Sequence, residues 1–119
     1  MDRLIFIYNA ESGKANAFLD AAHKILEPST YSCDLCSLTY GKFSEKKEWK
    51  RFRRNSPVPM EFLHKDKFLK AYASKFGYKF TFPAILASEN GDLQMLISAE
   101  KLGEMKELEE LIAALKTFF

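Results

Sequence analysis

The chain has 119 residues, 47% of them hydrophobic, and a formal net charge of +2 from 18 Lys and Arg against 16 Asp and Glu. Length and apolar content predict one folded domain, residues 1–119, and argue against a disordered chain or a second core. Two cysteines three positions apart make no secreted disulfide scaffold, no apolar run reaches membrane-spanning length, and so nearly balanced a charge implies no polyanionic partner.

Leu4-Ile5-Phe6-Ile7-Tyr8 is continuously apolar, which predicts a strand over residues 3–8 covered on both faces. Met1-Asp2-Arg3 leads straight into it with no small-residue cleavage site after it, so no signal peptide is expected and a reducing cytoplasm is the default compartment. Ala10 to Lys14 forms a polar turn. Ser12 can cap a following helix whose buried face is Ala15, Phe18, Leu19, Ala22 and Leu26, closed by Pro28. Gly13-Lys14 after a strand invites comparison with a phosphate loop, but Tyr8 and Ala15 stand where a Walker A motif needs Gly and Ser or Thr. That excludes ordinary nucleotide hydrolysis, and Ser12 as cap with Lys14 in solvent is the simpler reading.

Residues 29–56 read as an insertion. Its first part, 29–44, has no clean period and holds both cysteines, so it is expected to be irregular or partly extended. Glu45 to Arg54 reads as a short helix with Trp49 and Phe52 on one side, ended by Asn55-Ser56-Pro57. Lys42 to Arg54 carries seven Lys or Arg against two Glu. Lys46, Lys47, Lys50, Arg51, Arg53 and Arg54 form a basic surface suited to an acidic partner, while the rest of the chain largely cancels the charge and disfavours nucleic acid.

A second strand is expected over 58–63 with Pro59 at its start. A helix follows from about Asp66 to Phe76, with Phe68, Leu69, Tyr72 and Phe76 inward and Gly77 past its end. The third strand spans 83–88, Asn90-Gly91 makes a hairpin, and the fourth spans 92–98. A final helix from about Gly103 to Lys116 buries Met105, Leu108, Leu111, Ile112 and Leu115.

This order predicts an α/β fold: a four-stranded mixed sheet, its first two strands parallel and its last pair antiparallel, with helices on both faces. The segment "FPAILASENGDL" and the strand and amphipathic helix after it resemble the closing half of thioredoxin-like proteins. The resemblance implies a cis Pro83 facing the loop of Glu11, Ser12 and Gly13. "YNAESG" and "CDLCSLTYG" also resemble phrases of small bacterial proteins from which no activity transfers. Thioredoxin-like enzymes carry their Cys-x-x-Cys between the first strand and first helix, where this chain has Glu11-Ser12-Gly13-Lys14.

Cys33-Asp34-Leu35-Cys36 is the strongest chemical feature. Two thiols at this spacing can close a small disulfide or ligate one soft metal. Three readings follow. In the first, the pair is a displaced redox site, with Cys33 the attacking thiol by resemblance to redox motifs; it lacks the helix start that lowers a thiol pKa, and Asp34 opposes thiolate formation. In the second, the domain is a noncatalytic module for an acidic protein partner. In the third, Cys33 and Cys36 bind a metal together with His23 or His64. No cofactor is implied, a protein partner or homodimer suits the fold, and no Ser, His and acid set assembles for hydrolysis.

Overall fold

The computed structural model describes residues 1–9, 33–41, 44–72 and 81–119. The strands are β1 (Arg3–Tyr8), β2 (Met60–His64), β3 (Ala84–Glu89) and β4 (Asp92–Ile97). The helices are α1 (Asp34–Thr39), α2 (Lys47–Arg54), α3 (Lys65–Tyr72), α4 (Ala99–Glu104) and α5 (Leu108–Lys116). The helix expected after Ser12, and the end of the one expected to reach Phe76, lie outside the described residues.

The strands form one sheet in the order β2-β1-β3-β4. β1 pairs in parallel with β2, placing Phe6 opposite Phe62, and antiparallel with β3, placing Phe6 opposite Ile85. β3 and β4 pair antiparallel. A central strand paired on both edges explains why β1 is apolar from Leu4 to Tyr8: its side chains alternate between two covered faces. Leu4, Phe6 and Tyr8 pack with residues of α1, α2, α4 and α5, whereas Ile5 and Ile7 pack with Phe68 of α3, Ala84 and Leu86.

The sequence-based boundaries shift where local hydrogen bonds compete. β2 begins at Met60 because the Ser56 hydroxyl both donates to the Val58 carbonyl at 2.7 Å and accepts from its N–H at 3.1 Å, closing a turn there. Pro59 sits just before the strand, and its carbonyl accepts the Leu4 N–H at 2.8 Å. The Phe82–Pro83 peptide is cis, and β3 starts on the next residue.

The single helix expected over 103–116 is two. Ser98 caps α4 by accepting the Lys101 N–H at 3.2 Å, and Glu107 with Glu110 forms a capping box that starts α5. A heptad-like apolar series runs across this break, and for that reason it reads as continuous.

At the hairpin, Asn90 and Gly91 have φ of 53° and 85°, the pair of left-handed residues that a tight antiparallel turn requires. A Cβ added at Gly91 would meet nothing within 4 Å. Gly91→Ala is therefore expected to cost only the backbone term, about 1–2 kcal/mol by denaturant titration; a neutral result would mean that the turn changes type.

Candidate functional site

The residues expected to be irregular around the cysteines include a helix. Cys33 is the N-cap of α1, and its sulfur accepts the Cys36 N–H at 3.3 Å. Leu35, Leu38 and Thr39 turn inward, so six residues suffice to dock the helix into the core under β1. The Thr39 hydroxyl donates to the Leu35 carbonyl at 2.8 Å, closing its last turn. Asp34 leans toward α4: its Oδ2 lies 3.3 Å from where a Cβ on Gly103 would stand, a close approach that glycine permits.

Cys33 and Cys36 are joined by a disulfide with a Cα–Cα separation of 5.2 Å. Position corrects the sequence reading, since the pair opens a helix and is not confined to a loop. Both cysteines are buried in the core: Cys33 has no exposed surface and Cys36 keeps 9%. With both sulfurs in one bond, neither is a thiolate ligand in this state. Among the described residues no group of three His, Cys, Asp or Glu is placed to hold a metal ion. His64 is exposed at the end of β2, its ring 5.9 Å from that of Tyr8.

A polar cluster flanks the far end of α1. Tyr40 pairs with Glu45 in an isolated antiparallel bridge, and the Lys46 N–H donates to the Thr39 carbonyl at 2.9 Å, tying α1 to the start of α2. Glu45 accepts two bonds from Arg53, from Nε at 2.7 Å and from Nη2 at 2.8 Å. The Arg53 guanidinium also lies 5.8 Å from the centre of the Phe62 ring. Arg53 is thus committed to a partner, while Lys47, Lys50, Arg51 and Arg54 are exposed and form no ion pair among the described residues.

Burial raises the Tyr8 phenol well above its ordinary value, with nearby Tyr40 and Glu45 adding to the effect and Thr39 opposing it. Tyr40 is raised as well, first by burial and then by Glu45, against Arg53. The folded state therefore resists ionising Tyr8. Its contribution is fully present below the unfolded tyrosine pKa near 10 and is lost as pH rises above that toward the raised folded value. Stability should fall by up to about 1.4 kcal/mol per pH unit from this group above pH ~10, and Tyr8→Phe should flatten that part of the profile. Equal alkaline slopes in the two proteins, measured by urea titration, would contradict the assignment.

Glu11, Ser12, Gly13 and His23 lie outside the described residues. Pro83 is buried at the head of β3. The residues that sequence reading missed are Tyr8, Tyr40 and Glu45, because a bridge between positions 40 and 45 brings them together and no periodic pattern marks it. No helix among the described residues is long and apolar enough to cross a membrane. Comparison with family models, with curated proteins and with solved structures finds no match.

Proposed function

We propose that the chain is a thioredoxin-like thiol–disulfide exchange protein that works through the displaced Cys33–Cys36 pair. The observation that carries this is the disulfide across the first turn of α1, with both cysteines buried, Cys36 the less deeply of the two, and the Cys33 sulfur held by the Cys36 N–H. A loop this short removes little entropy from the unfolded chain, so such a bond is a poor structural staple. The parallel β1–β2 pair, the antiparallel β3–β4 pair and the strand order β2-β1-β3-β4 support the thioredoxin-like part of the reading.

The slightly greater exposure of Cys36, with the Cys36 amide on the Cys33 sulfur, favours roles opposite to the order expected from resemblance. An external thiolate attacks Cys36 Sγ, forming a mixed disulfide and breaking the Cys33–Cys36 bond. Cys33 leaves as the thiolate, and the Cys36 amide that already points at its sulfur stabilises that charge. A second external thiolate then attacks the mixed disulfide at the external sulfur, releasing the oxidised external disulfide and the Cys36 thiolate. Two electrons enter the protein as two thiols are oxidised. In reverse, reduced Cys36 attacks a substrate disulfide and Cys33 resolves the mixed intermediate.

The test is to mix reduced, folded protein with an aromatic disulfide and follow the released thiol by absorbance. Two equivalents of thiol per chain, with Cys33–Cys36 re-formed by mass spectrometry, are expected. Reaction only after denaturant is added would overturn the proposal.

A further inference from the structure

Between α2 and the end of α5 the surface opens into a groove of about 440 Å³. Its apolar floor includes Phe52, Ile112 and Phe119, with the Phe52 and Phe119 rings stacked at 5.9 Å between centroids and 18° between planes. Arg51 stands on the α2 wall and Lys116 on the α5 wall, and neither forms an ion pair among the described residues. One carboxylate, Glu48, shares the lining. The amides and hydroxyls there are already engaged: Asn55 Nδ2 donates to the Arg51 carbonyl at 2.9 Å, and Ser56 bonds Val58. What the groove offers an occupant is therefore apolar contact and positive charge.

We infer that this groove docks a polypeptide segment of a partner protein, one that places a bulky apolar side chain on the Phe52–Ile112–Phe119 floor and flanks it with Asp or Glu. Charge complementarity carries the choice of occupant. Lys47, Lys50 and Arg54 extend the exposed charge of Arg51 along all of α2, a helix of eight residues and so about 12 Å long. That is longer than a small anion needs and matches an extended acidic peptide. An apolar anchor with a polar, solvent-accessible rim is the common anatomy of a docking surface, and Arg is favoured where carboxylates are recognised. The inference does not depend on the exchange chemistry of Cys33 and Cys36.

The full chain is screened against a displayed library of random twelve-residue peptides, and selected peptides are titrated by fluorescence anisotropy. Selected sequences should share an aromatic or large aliphatic residue flanked by acidic ones. Binding should weaken about tenfold in Arg51→Glu with Lys116→Glu, and about tenfold in Phe119→Ala, and should fall as salt is raised. These positions are exposed, so unchanged thermal melts separate lost docking from lost folding. A Cys33→Ser, Cys36→Ser chain should bind as well as the parent, which distinguishes failure here from failure of the redox proposal. No enrichment, enrichment of basic or uncharged peptides, or equal binding by the charge-reversed chain would overturn the inference. So would sedimentation of the protein with phosphatidylserine vesicles in the absence of any peptide selection.

Discussion

Cys36→Ser is expected to slow reaction with an external disulfide by about a hundredfold or more, whereas Cys33→Ser should still attack but stop at a mixed disulfide that gels or mass spectrometry can trap. The asymmetry follows from burial. Both cysteines are buried, but Cys36 retains 9% of its surface and Cys33 none, so Cys36 needs the smaller opening to meet a reactant. The Cys33 replacement is a mild test of folding. A Ser at position 33 keeps a side-chain oxygen at the N-cap of α1, where the Cys36 N–H already finds an acceptor, and Ser is among the preferred caps. Trapping on the Cys36→Ser chain instead of the Cys33→Ser chain would show that Cys33 becomes exposed on reduction and would reverse the assigned roles.

Phe6→Ala should lower stability by about 3–5 kcal/mol. Phe6 has no exposed surface at the centre of β1. Its ring stacks on Phe62 of β2 at 4.8 Å and meets Trp49 of α2 edge-on at 5.5 Å, so one side chain joins sheet and helix. Truncation leaves a cavity whose walls belong to three elements that cannot all close in. For a chain of this size the melting temperature should drop by about 10–20 °C. By contrast, Met95 on the edge strand is 37% exposed, and Met95→Ala should stay within about 0.5 kcal/mol. A Phe6→Ala loss below about 1 kcal/mol would mean that the aromatic cluster is not the centre of the core.

The sheet was legible because its strongest signals are local. Unbroken apolar runs at Leu4–Tyr8 and Ala84–Ala87 need two covered faces, and Asn90-Gly91 needs left-handed backbone. α1 was not, since six residues make less than two turns and its inward set of Leu35, Cys36, Leu38 and Thr39 is too brief to establish a period. Ser98 and the Glu107–Glu110 capping box did mark two helix starts, but the inward spacing of Met105, Leu108, Leu111 and Leu115 masked the break between them.

The Cys-x-x-Cys spacing showed the disulfide-capable pair; its place at a helix start depended on packing against β1, α4 and α5. The basic run was legible as charge but not as geometry. Arg53 turns to Glu45, eight residues earlier and outside α2, a pairing that no helical spacing announces.

The central claim, that Cys33 and Cys36 cycle between disulfide and dithiol in the folded protein, is tested most directly by redox titration. The purified chain is equilibrated across glutathione and dithiothreitol buffers, quenched by alkylation, and its thiols are counted by mass spectrometry while circular dichroism follows the fold. A single reversible two-electron transition is expected, within the range of exchange-active protein dithiols, about −120 to −270 mV, with the fold unchanged. A disulfide that persists below about −300 mV, or that opens only as the protein unfolds, would contradict it.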